Sequence, residues 1–111
     1  MIRSLLHAVI PSATVTSSEA VSLRLDSFIL NAAGFLPREE VEVVNLATGV
    51  RLRTFVEAAR EGSGEVAGPF RTGDSIAILS FAQLHEGQTL AHRAKIVRLD
   101  DDNRVVAIEE R

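Results

Sequence analysis

The chemistry open to this chain is set by a short inventory of side chains and by the types missing from it. There is no cysteine, tyrosine or tryptophan. That removes disulfides, thiolate metal sites, a cysteine nucleophile and any phenolic acid. Eleven of the twelve basic residues are arginine, and Lys95 is the only lysine. Guanidinium does not ordinarily deprotonate, so only Lys95 and the N-terminal amine could form a Schiff base. Arginine is suited instead to gripping carboxylates through two parallel hydrogen bonds. His7, His85 and His92 are scattered, too few and too irregular for zinc, and the run Asp100 to Asp102 lacks the ligand spacing of a calcium loop. No metal is expected. Serine, histidine and aspartate are all present, but no nucleophile elbow frames a serine.

These side chains must be positioned by one domain, residues 1–111. The hydrophobic fraction of 46% is enough for a core, and no run is long enough to span a bilayer. The N-terminal MIRSLLHAVIPSATVT lacks a long apolar region and a small-residue cleavage site, so the expected location is the cytoplasm. A net charge of −3 argues against a nucleic-acid surface.

The first segment, Ile2 to Thr16, reads as a strand pair or one long bent strand, with Pro11 at an edge or kink. Ser17 to Ala20 is a polar break that could form one helical turn capped by Ser17 or Ser18. Val21 to Leu25 is a short strand, and Asp26 an N-cap for the helix SFILNAA, closed by Gly34, with Phe28, Ile29, Ala32 and Ala33 on its apolar stripe. Val41–Ala47 and Val50–Ala58 alternate as strands around the turn Thr48-Gly49. On the second of these, Arg51, Arg53, Phe55 and Glu57 share one face; Val50, Leu52, Thr54 and Val56 share the other. Gly73-Asp74 turns into a buried strand, Ser75 to Leu84. LHEGQTLAH connects to a hairpin of Lys95–Leu99 and Arg104–Ile108. Many short strands with one short helix predict an all-β protein, a small barrel that closes its own edges.

Four stretches, MIRSLL, LDSFILNAAG, VEVVNLATGVRLRTFVEAAREGSG and TGDSIAILSF, resemble in this order the aspartate 1-decarboxylase family. The likeness covers roughly residues 1 to 84, with gaps near Ala20 and Ala67. It implies a six-stranded double-psi β-barrel, to whose Gly-Asp turn Gly73-Asp74 is similar. It also implies a homotetramer with active sites in clefts between subunits. In that family a Gly-Ser bond breaks itself and the serine becomes the pyruvoyl cofactor. Ser22 stands at that serine, Arg51 at the arginine that binds a substrate carboxylate, and Thr54 at the threonine that assists cleavage. Asn45 lies in the same neighbourhood.

Other family positions differ. Val21 replaces the glycine, Val9 a lysine, Pro11 a histidine and Phe55 the tyrosine that returns a proton to the decarboxylated carbon. Phe55 keeps the ring but has no O–H to donate. The tyrosine before the cleavage site is deleted, the loop is a few residues shorter, and Ala67 stands near a lost asparagine. A β-branched valine also resists the strained backbone that glycine tolerates.

The expected function is that of a decarboxylase-like protein that neither cleaves itself nor carries a cofactor. It would be repurposed as an accessory or ligand-binding protein, or as an enzyme of different chemistry such as hydrolysis. Arg51, Asn45 and Phe55 would line a site for a small carboxylate or amide, with Ser22 and Thr54 at the old catalytic positions. The alternative is an active L-aspartate 1-decarboxylase, cleaved at Val21-Ser22, with pyruvoyl from Ser22, making β-alanine for pantothenate. A third reading is a structural partner in oligomers with a processed homologue. Beside these stand plainer roles. Ser22 is then a strand serine bonded to a neighbour, Arg51 a partner of Glu42 or Glu57, Thr54 a strand filler, and Phe55 the wall of a pocket or interface.

Overall fold

Alternation of apolar and polar residues writes most of the strands. The computed structural model describes residues 1–19 and 21–111. These form β1 (Ile2–Thr14), β2 (Ser17–Ser18), β3 (Leu23–Asp26), α1 (Ser27–Ala33), β4 (Glu40–Asn45) and β5 (Arg51–Ala59). There follow β6 (Val66–Gly68), β7 (Ser75–His85), α2 (Glu86–Thr89), β8 (Lys95–Leu99) and β9 (Val105–Glu110). All strands join one mixed sheet in the order β2-β6-β3-β5-β4-β7-β1-β8-β9. The sheet curls around its core as a half-barrel, so the all-β expectation holds. It does not close on itself, and β2 and β9 are left as its edges.

The concave face is apolar. Leu23 and Leu25 of β3, Val41 and Val43 of β4, Val56 of β5 and Ile76 and Ile78 of β7 are fully buried there. Each such side chain contributes about 1.5–3 kcal/mol relative to leaving it in water. α1 closes one end. Asp26 accepts a hydrogen bond from the Phe28 N–H at 2.9 Å, as an N-cap does. Gly34, at φ +75, ends the helix, with Phe35 N–H bonded back to the Leu30 carbonyl. The helix buries Ile29, Leu30 and Ala33, while Phe28 is 55% exposed. Leu30 thus takes the inward place that spacing assigned to Phe28.

β1 is one long strand, not a pair. Its register against β7 shifts between Leu6 and Ala8 and again between Ile10 and Ala13. Pro11, lacking an N–H, lies inside the second shift. The expected helical turn over Ser17 to Ala20 is, at Ser17 and Ser18, a strand paired with Ala67 and Gly68 instead; Ala20 lies outside the described residues. Here long-range pairing overrides the local capping habit of serine. The expected connector after β7 contains a second short helix, α2.

Candidate active-site region

Parallel pairing of β3 with β5 sets Leu23 beside Val56 and Asp26 beside Ala59. Continued backwards, that register brings Val21 alongside Thr54 and Ser22 alongside Phe55. The Thr54 hydroxyl accordingly donates to the Val21 carbonyl oxygen at 2.8 Å. This carbonyl belongs to the Val21-Ser22 peptide bond. Val21 is 69% exposed, and Ser22 is half-buried just before β3. Among the described residues, the Ser22 hydroxyl has no hydrogen-bond partner.

On the other face of β5 lie Arg51, Arg53 and Phe55. Antiparallel pairing with β4 puts Glu40 beside Phe55 and Glu42 beside Arg53. Arg51 reaches diagonally to Glu42, at 2.7 Å, one of the two partners foreseen for it. The Arg51 side chain is 69% exposed, so this pair adds at most about 1 kcal/mol and leaves the remaining guanidinium N–H groups open. Phe55 forms one wall of a hollow of about 460 Å³, completed by Arg38, Glu40, Arg53 and Thr54. Arg38 and Arg53 were not singled out in the sequence, although alternation already placed Arg53 on the Arg51 face. Ser22 and Arg51 lie about 13 Å apart along the strands, four residue spacings.

Asn45 belongs to the opposite end of β4. It is buried, its Nδ2 donates to Asp74 Oδ2 at 3.1 Å, and its Oδ1 accepts from the Ala47 and Thr48 N–H groups. Both ends of its amide therefore fasten the Thr48-Gly49 turn to the Gly73-Asp74 turn. The histidines lie apart from one another in structural places. His92 Nε2 donates to the Leu6 carbonyl at 2.8 Å, the His85 N–H is bonded to Gln88 Oε1, and His7 lies near Gly34. Among the described residues, no helix is long and apolar enough to cross a membrane.

A family model for aspartate decarboxylase matches residues 1–106. The chain belongs to the aspartate decarboxylase family. Its half-barrel is an all-β fold of the kind that family predicts. The aspartate 1-decarboxylase of Corynebacterium efficiens is 33% identical, over 97% of this chain and 86% of that protein. The aspartate 1-decarboxylase of Staphylococcus aureus (strain JH9) is 35% identical, over 96% of this chain and 91% of that protein. The likeness thus extends through β8 into β9, beyond the residues in which it is legible by eye. Within an aspartate decarboxylase framework, Thr54 sits where it can polarise the peptide bond preceding Ser22. Phe55, on the neighbouring position of β5, offers an aromatic ring and no O–H.

Proposed function

We propose that this member of the family keeps the Val21-Ser22 bond intact and binds a small carboxylate or amide on the outer face of β5. The observation that carries this reading is the grouping of Arg51, Arg53 and Phe55 on that face. Two guanidinium groups suit an anionic ligand, and an aromatic wall suits its apolar part. Among the described residues Arg53 has no ion-pair partner, and Arg51 is held only through one nitrogen, so both can take a carboxylate. A pyruvoyl group does not fit this set as a working cofactor. The hollow walled by Phe55 has no phenol or amine, its arginines do not release protons at neutral pH, and Glu40 is its only acid. A homotetramer with the site between subunits would bring the β5 face of one copy towards Ser22 of another. Whether the bound molecule is held or hydrolysed follows from the ligand.

A second reading is favoured by one specific contact. The Thr54 hydroxyl on the Val21 carbonyl, at 2.8 Å, would stabilise charge developing on that oxygen if Ser22 Oγ attacked the carbonyl carbon. On that reading the chain is cleaved and decarboxylates L-aspartate to β-alanine for pantothenate, with Glu40 left to return the proton. Intact mass spectrometry of the purified protein separates the two. A single species of 12.0 kDa supports the unprocessed reading, whereas two fragments divided before Ser22 overturn it. Thermal-shift titration with small dicarboxylates then tests the ligand site. Stabilisation that Arg51→Ala abolishes supports it; no stabilisation, or stabilisation indifferent to Arg51→Ala, removes it.

A further inference from the structure

β4 and β7 part before either strand ends. Their ladder stops at the pair of Glu42 with Leu79. The next two pairs in that register, Val41 with Ser80 and Glu40 with Phe81, are not made. β4 runs on against β5 instead, setting Glu40 beside Phe55, and β7 runs on against β1, setting Phe81 beside Leu6. The register of β1 shifts at this same level, between Leu6 and Ala8, so His7 is an extra residue opposite Phe81 and Ser80. Such a bulge bends its strand and is common beside functional sites. The gap between β4 and β7 is a hollow of about 360 Å³, within the range of small-ligand sites.

Ser80 lines this hollow and is only 2% exposed. Its Oγ is the one buried side-chain polar atom without a hydrogen-bond partner among the described residues. A buried hydroxyl left unpaired is destabilising, and here the chain itself supplies no partner. The rest of the lining selects what can. Glu39, Glu40 and Glu42 stand against one guanidinium, that of Arg53. Among the described residues Glu40 is in no ion pair. Gln83 uses its Nε2 on Ser4 Oγ, at 3.2 Å, and keeps a free carbonyl oxygen. Acceptors therefore exceed donors, and negative charge exceeds positive. Leu79 and the half-exposed ring of Phe81 give the hollow an apolar side. We propose that it binds a small primary alkylammonium ion, at a site separate from the carboxylate site on the outer face of β5. The ammonium donates one N–H to Ser80 Oγ and another to the Glu40 carboxylate, and the alkyl chain lies against Leu79 and Phe81. The two hollows share Glu40 and Arg53 as walls, but Ser80 belongs to this one alone.

Titration of the full chain with n-butylammonium chloride at neutral pH, followed by amide NMR, tests this. The amide resonances of Glu40, Ser80 and Phe81 should shift saturably in the millimolar range. Tetramethylammonium chloride, a cation with no N–H, and sodium butyrate, an anion of similar size, should not shift Ser80. No saturable shift with butylammonium, or an equal shift with either control, overturns the proposal. Ser80→Ala should weaken amine binding about tenfold. The free variant should melt no lower than the parent, because it loses no hydrogen bond within the chain. Undiminished binding, or a lower melting temperature showing that the hydroxyl already has a partner, would count equally against it. Glu40→Gln, an exposed substitution, gives a second readout and should also weaken binding about tenfold; binding indifferent to it removes the ammonium site. Arg51→Ala, which removes the carboxylate site, should leave amine binding in place. Loss of amine binding there would merge the two sites and exclude a separate one.

Discussion

Thr54 and Asp26 show how differently two hydrogen-bonding side chains weigh in the same molecule. The Thr54 hydroxyl is bonded to the carbonyl of Val21, a residue 69% exposed. Once freed, that oxygen can be taken up by water. Thr54→Val should therefore cost only about 0.5–1 kcal/mol, a shift of a few degrees in a far-UV circular dichroism melt. A loss several times larger would mean that the Val21 carbonyl is sealed from water in the assembled protein. Asp26 is only 4% exposed, and its carboxylate accepts from Phe28, Gly62 and Gly64 N–H groups at 2.9–3.0 Å. Burial alone would raise its pKa, but the Gly64, Phe28 and Gly62 donors, with the charge of Arg104, outweigh burial and hold it below the ordinary value. A lowered folded-state pKa means that this stabilisation is complete above the unfolded-state value, near ~3.9, and is lost as pH falls through the folded one. Asp26→Asn should destabilise the protein by about 2–4 kcal/mol at neutral pH, and its stability should fall less steeply than the parent's below about pH 4. Acid titration followed by circular dichroism measures both; with no tyrosine or tryptophan, fluorescence would not. The N-cap role of Asp26 is legible in the sequence, as an acid opening an apolar helix. Its grip on Gly62 and Gly64 is not, because nothing local signals partners 36 and 38 residues away.

At the scale of elements, the same division between local and distant causes recurs. β4 is readable because one of its faces is buried, in alternation with half-buried residues over Val41 to Val44, and β5 because its residue types alternate, although only Val56 of it is buried. β2 and β6 are not readable. They are two and three residues long and exist through their pairing with each other and of β6 with β3. The candidate site divides likewise. The shared face of Arg51, Arg53 and Phe55 follows from strand periodicity, whereas the contact of Thr54 with Val21 depends on the parallel register of β3 and β5. The turn before β9 looks, in sequence, like a solvated acidic loop, yet its last residue is an anchor. Asn103 is buried at φ +59. Its Oδ1 accepts from Thr14 N–H, and its Nδ2 donates to the Thr14 and Gly64 carbonyls, at 2.8–3.0 Å. One amide thus binds the end of β1, the Gly62–Gly64 loop and the β8–β9 turn. Asn103→Ala removes all three bonds and puts alanine in a left-handed conformation that asparagine tolerates better. About 3 kcal/mol of stability should be lost, read as a lower urea midpoint with an unchanged slope. A cost below about 1 kcal/mol would show that water substitutes for the amide.

For the whole molecule, the arrangement of strands decides what the C-terminal hairpin is for. β8 pairs in parallel with β1 at Ala8 and Val9, and it delivers Val97, fully buried, and Ile96, 6% exposed, to the interior. Val97 joins the core that α1 covers, and Val105 packs against that core from β9. Removing residues 94–111 would strip those side chains away, cut the three bonds of Asn103 and expose the edge of β1 along its middle. Two buried aliphatic side chains at about 2 kcal/mol each, with the Asn103 bonds, approach the entire net stability expected of a domain this size. The truncated chain should therefore fail to give a cooperative thermal transition and should lose slow amide exchange throughout β1 and β7, not only near the cut. A truncated chain that still melts cooperatively would show that the β1–β7–β4–β5 sheet stands by itself and that the hairpin is an appendage. β8 sends Ile96 and Val97 inward, whereas Val106 and Ile108 of β9 are exposed, so the two sets of side chains can be tested separately. Substitutions at Val106 or Ile108 should leave the melting cooperative, whereas Val97→Ala should lower it by about 2 kcal/mol or more.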